Sequence, residues 1–149
     1  IAAAELLKQD WGVDADLWGC PSMNELSRNG NDVSRWNLLN PAEKPKLSHV
    51  EQCLNDTRGP VIAATDYVRL YSEQIRPFVN RRYVTLGTDG FGRSDTREKL
   101  RHFFEVNRYW VTLAALKALA DDGEIDRSKV AEAILKYGID TNKPNPMSV

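Results

Sequence analysis

The residues best suited to chemistry crowd one short stretch, Leu86-Gly87-Thr88-Asp89-Gly90-Phe91-Gly92-Arg93-Ser94-Asp95. Asp89, Arg93, Ser94 and Asp95 put donors, acceptors and both signs of charge on a bend built from Gly87, Gly90 and Gly92. Three glycines within six positions imply backbone that takes positive φ or runs close against another segment. A strand, a glycine-rich bend and a helix N-terminus, in that order, can hold an anion, because free N–H groups and the helix dipole favour negative charge. The spacing is not G-x-G-x-x-G, and no Lys-Ser/Thr pair follows as in a P-loop. Three readings stand: a small-anion site, a contact with another domain, or a turn whose Asp and Ser side chains satisfy their own backbone.

Other reactive residues are sparse. His49 and Cys53 lie at i and i+4, a spacing that metals accept, but zinc needs three or four ligands. Only His49, His102, Cys20 and Cys53 are on offer, with no C-x-x-C pair. A cysteine nucleophile would need Cys53 to meet His102, or Cys20 to meet His49, and nothing in the spacing brings them together. Each cysteine therefore reads as a buried small hydrophobe. Trp11, Trp18, Trp36 and Trp110 read as packing residues. Arg93, Arg97, Lys99 and Arg101, interrupted by Asp95 and Glu98, read as a salt-bridged helix face or a contact with another domain or subunit.

These residues need a scaffold. A chain of 149 residues makes one domain and buries roughly 70% of its unfolded surface. Hydrophobic content of 42% with 28% charged residues is ordinary for a globular chain. A net charge of −1 gives no electrostatic ground for binding nucleic acid or an anionic membrane. No apolar run nears the roughly 20 residues of a membrane span. Two cysteines are too few for a disulfide framework and read as reduced thiols of the cytoplasm.

A helix is expected from about Ile1 to Asp10, with Gly12 as its left-handed stop. Val13–Cys20 alternates Val13, Ala15 and Leu17 with Asp14 and Asp16, which predicts a half-buried strand. Ser22 and Glu25 form a capping-box pattern for a short helix closing near Gly30. Residues 31–48 read as irregular, with one turn around Ser34–Leu39, before a short helix near Ser48–Asn55. Val61–Thr65 is a nearly all-apolar strand, expected to be covered on both faces. Tyr67–Ile75 reads as a helix ended by Pro77, and Arg82–Leu86 as the next strand. Asp95, with Glu98, is expected to cap the helix after the bend. Asn107 and Asp126 open two more helices, the second stopped by Gly138, and the tail Asp140–Val149 runs over the surface. Strands alternating with helices predict an α/β domain, a mainly parallel sheet with helices on both faces. Asp66, Thr88 and Asp89 then lie at the carboxyl ends of strands, where such sheets bind things.

The run T-L-G-T-D-G-F-G-R-S-D-T-R-E-K-L-R at 85–101 resembles the C-terminal domain of the bacterial homodimeric pyruvate dehydrogenases. So do N-E-L-S-R-N-G-N-D-V-S-R-W-N at 24–37, Q-C-L-N-D-T at 52–57 and V-I-A-A-T-D-Y at 61–67. The runs at 103–116 and 137–146 agree, so the resemblance covers essentially the whole chain. It implies a transketolase C-terminal-domain-like fold and a position as third domain of a longer chain. It also places a strand ahead of the opening helix, so this stretch is expected to lack the first strand. The whole enzyme would decarboxylate pyruvate on thiamin diphosphate and Mg²⁺ and pass the acetyl group to a lipoyl group of the acyltransferase component. In the family the cofactor motif, G-D-G followed by an Asn pair, belongs to the first two domains. Gly87-Thr88-Asp89-Gly90 is not that motif, so no catalytic, cofactor or metal residue is expected here. The implied partners are the chain's own N-terminal and middle domains, a second subunit and the acyltransferase. The implied location is the cytoplasm. Asp89, Arg93, Ser94 and Asp95, with the Asn24–Asn37 segment, are the expected contact residues. The rival reading is a free-standing α/β regulatory module that binds a small anion at Gly87–Asp95.

Overall fold

A computed structural model describes all residues from 1 to 149. Two strands, β1 (Val61–Ala64) and β2 (Tyr83–Leu86), pair in parallel, with Val61 opposite Tyr83 and Ala64 opposite Leu86. Their side chains alternate between two helical layers, as strand geometry requires. On one face Val61, Ala63 and Tyr83 pack with Val50, Ile75, Phe78 and Val79. That layer is built from α2 (Met23–Leu39), α3 (His49–Leu54), α4 (Arg69–Glu73) and the 3₁₀ turn Arg76–Phe78. On the other face Ile62 packs with Leu7, Ala115, Leu116 and Ala133. These come from α1 (Ala2–Trp11), α6 (Arg108–Asp121) and α7 (Arg127–Lys136). The parallel pair with helices on both faces is the expected α/β architecture. The seventh helix, α5 (Arg97–Phe103), sits at the carboxyl end of the strands. No helix is long and apolar enough to cross a membrane.

Most helix ends follow their local chemistry. Gly12 closes α1 at φ 65, and its N–H bonds the last carbonyls. Ser48 and Glu51 complete a reciprocal capping box at α3. Asn107 accepts from two amides at the start of α6, and Asp126 accepts from Ser128 N at α7. Gly138, at φ 61, follows α7. Lys117 reaches water and bonds Asp121 at 2.5 Å.

Four expectations are corrected. Val13–Cys20 is not a strand but irregular, mostly exposed chain. Period-two alternation needs a partner strand, and here Asp14 turns instead to Lys8 at 2.8 Å. Helix α2 does not close near Gly30, and residues 31–39 are not irregular: the helix continues to Leu39. Asn31 and Ser34, polar residues that favour breaks, bond the carbonyls of Ser27 and Gly30 four residues back, both at 2.9 Å. The expected Tyr67–Ile75 helix shrinks to Arg69–Glu73, followed by the 3₁₀ turn that contains Pro77. The cap of α5 is Thr96, whose hydroxyl accepts from Lys99 N, and not Asp95, which accepts from Thr96 N at 2.7 Å.

Helix α4 is tied to β2 by polar groups. The Tyr83 hydroxyl donates to Ser72 O at 2.7 Å, and Glu73 accepts from the Thr85 hydroxyl and from Arg76 at 2.8 Å. Bonding to Arg76, more than offsetting desolvation, holds the Glu73 carboxyl at about 2, below its ordinary 4.5. A depressed carboxylate contributes stability that is full above pH 4.5 and lost as pH falls toward 2. Glu73→Gln should therefore lower the thermal midpoint at pH 7 and flatten its decline across that acid range. An unchanged acid limb in the variant would count against this pairing.

Candidate functional site

The loops after β1 and β2 meet at the carboxyl ends of the strands. Thr88 N bonds Tyr67 O at 2.9 Å, and its hydroxyl donates to Asp66 O at 3.1 Å. Gly87 is buried against backbone: a Cβ there would lie 2.5 Å from Arg69 N and 2.8 Å from Tyr67 O. Gly90 takes φ 101 and faces the tail, with Pro146 O only 2.4 Å from the place of a Cβ. Gly92 meets nothing within 4 Å. Two of the three glycines thus answer to a conformational or spatial demand, and the third does not.

The expected contact residues do not act as one cluster. Asp89 turns inward: Oδ1 accepts from Arg69 N at 2.8 Å, and Oδ2 lies 3.4 Å from Arg69 Nε. It supplies the cap that α4 lacks from its own N-cap residue, Val68. Arg93 lays its guanidinium 5.0 Å from the centre of the Phe103 ring and has no carboxylate partner. Ser94 is exposed, and its hydroxyl makes no hydrogen bond. Asp95 bonds Thr96 N and lies 3.7 Å from Lys99.

Asp66 is the charge centre of this end. Arg101 donates to both its oxygens, at 3.2 and 2.6 Å, and Arg97 stands at 3.7 Å. The Arg101 bond holds the Asp66 carboxyl below the usual range. This pair fixes α5 over the end of β1. The basic series is therefore partly a salt-bridged face, though its main partner is Asp66 on another element and not the i, i+4 residues. Between these parts lies a cleft of about 460 Å³, lined by Asp66, Thr88, Arg93, Arg97, Arg101 and Phe104 among others.

Sequence reasoning missed Lys143. Its side chain is only 14% exposed, donates to Phe103 O at 2.8 Å and pairs with Glu105 at 3.0 Å. It also sits 5.3 and 5.8 Å from the Phe103 and Trp110 rings. Glu105 takes φ 62, the one non-glycine residue in the left-handed region. Lys143 thus ties the tail to the end of α5 while Pro146 lies against the bend at Gly90, and a lysine in an aperiodic tail carries no local signal of this. In the Asn24–Asn37 segment, Asn29 accepts from His49 N at 2.7 Å, and Asn37 brackets the Lys46 backbone at 2.8 and 2.9 Å. These amides serve the fold, while Leu38 and Leu39 beside them remain exposed.

No group of three His, Cys, Asp or Glu side chains lies together as a metal site would require. Of the weighed pairs, the structure brings together the one not considered as a nucleophile and base: Cys53 Sγ stands 3.4 Å from His49 Nε2.

Comparison with known proteins adds to this picture. The profile of the "transketolase-like TK C-terminal domain" matches residues 1–107. The whole chain is 75% identical to a protein of Cupriavidus necator named "Pyruvate dehydrogenase E1 component", covering 17% of its length. Proteins of the same name from Pseudomonas aeruginosa and Escherichia coli are 62% and 50% identical over 97% of the chain, covering 17% and 16% of theirs. The chain thus spans about one-sixth of the length of these curated relatives, as those shares state. With the parallel α/β core and a profile match over most of its residues, the chain belongs to the transketolase-like C-terminal domain family.

Proposed function

We propose that the chain is the C-terminal domain of a pyruvate dehydrogenase and serves there as a domain-packing and dimer-supporting unit. The observation that carries this reading is 75% identity across every residue of the chain to a relative about six times as long. The whole protein would decarboxylate pyruvate on thiamin diphosphate and Mg²⁺ in the cytoplasm and acetylate the lipoyl group of its acyltransferase partner. This chain's residues do not fit that cofactor, since they offer no grouped metal ligands. Its own contribution is a surface. Tyr67, Leu70 and Phe91 are exposed on the loops and helix start at the carboxyl end of the strands, and Arg93, in the same bend as Phe91, has no carboxylate partner. Aromatic residues with an arginine are the composition of protein interfaces.

The test is the double variant R93A/D95A of the full-length enzyme. We expect the dimer dissociation constant to rise about tenfold, roughly 1.4 kcal/mol, with the Michaelis constant for pyruvate unchanged. Normal dimerisation with a selectively altered Michaelis constant would overturn the reading. Saturable phosphate binding that is lost on replacing the bend glycines would favour the regulatory anion module instead.

A further inference from the structure

We propose that Cys53, with His49 as its base, is a peroxide-reactive thiol, a site of reversible oxidation. The two residues face each other one turn apart on α3, with Sγ 3.4 Å from Nε2. The helix that presents them is held from both sides. Its capping box closes the N-terminus, Asn29 on α2 accepts from His49 N at 2.7 Å, and Val50 is buried in the core. The imidazole is exposed and the thiol half-buried, so a small oxidant reaches the sulfur while the ring stays beside it.

Cys20, exposed and not the buried hydrophobe expected, provides the internal contrast. Its sulfur contacts Met23 Sδ at 3.3 Å, and no imidazole is among its partners. Desolvation pushes its thiol up, toward the unreactive protonated form. The nucleophile is the thiolate, and a neighbouring imidazole supplies it by taking the S–H proton. The thiolate of Cys53 would attack one oxygen of the peroxide, forming an S–O bond as the O–O bond breaks. The hydroxide released takes the proton held by His49 and leaves as water. The balance is one thiol and one hydrogen peroxide to one sulfenic acid and one water. A cellular thiol can reverse that product.

The experiment exposes the full-length protein to hydrogen peroxide with dimedone present and follows the Cys53 and Cys20 peptides by mass spectrometry. Cys53 should acquire the dimedone adduct about tenfold faster than Cys20. H49Q keeps a hydrogen-bonding side chain but cannot take the proton. It should bring the Cys53 rate down to that of Cys20 and leave Cys20 unchanged. Equal rates for the two cysteines in the unsubstituted protein would overturn the proposal without any variant. So would an unchanged Cys53 rate in H49Q with its circular dichroism intact.

Discussion

Gly87→Ala should destabilise the fold by about 3 kcal/mol, while Gly92→Ala, further along the same bend, should stay within about 0.5 kcal/mol of the parent. Neither position is one where positive φ forbids alanine, so the difference is one of space. A Cβ at Gly87 would stand 2.5 Å from Arg69 N, 2.7 Å from Arg69 Cα and 2.8 Å from Tyr67 O. All three are backbone atoms, so no side chain can swing aside to make room. Relief requires the end of β2 to part from the start of α4. That movement breaks two bonds made there, Thr88 N to Tyr67 O at 2.9 Å and Asp89 to Arg69 N at 2.8 Å. The cost therefore sits at or above the upper end of the 1–3 kcal/mol common for overpacking. Urea unfolding midpoints of the two variants decide the matter. A Gly87→Ala protein within about 1 kcal/mol of the parent would show that these loops are not packed as described.

The bend was legible because its glycines are a local signal, and so were the caps at Asn107, Asp126 and Ser22, where one side chain bonds amides two or three residues on. The parallel sheet was legible in the apolar runs of Val61–Ala64 and Tyr83–Leu86. What escaped depends on neighbours distant in sequence. Val13–Cys20 carries strand alternation but has no strand beside it. Asp89 looks like one member of a charged bend, yet its partner is a backbone amide 20 residues back. Arg101 looks like a helix-face cation, yet it reaches Asp66, 35 residues away. Lys143 is tied to Phe103 and Glu105 across about 40 residues, as their numbering shows. Composition gives the charges of this site, but only tertiary packing chooses among their possible partners.

Gly30→Ala separates these two levels most sharply. On helix propensity alone the change stabilises by about 1 kcal/mol, since Gly30 lies in the interior of α2. In the folded chain a Cβ there would stand 2.3, 2.4 and 2.5 Å from three atoms of the Phe78 ring. Ordinary carbon contacts lie at about 3.5–4.0 Å, so the overlap exceeds roughly 1 Å. The ring is buried among Val50, Ile75, Val79 and Tyr83 and has nowhere to retreat. Overpacking outweighs propensity, and we expect a net loss of about 2 kcal/mol. The cause is tested by Phe78→Leu, which shortens the side chain that meets the new methyl group. On that background Gly30→Ala should become neutral or stabilising, which gives a coupling energy of about 2 kcal/mol in a double-mutant cycle. Additive effects would remove the ring from the explanation. Coupling would mean that glycine is kept in α2 to admit Phe78 from the turn after α4. In that case the residue that looks locally like a helix stop is the notch on which this layer closes.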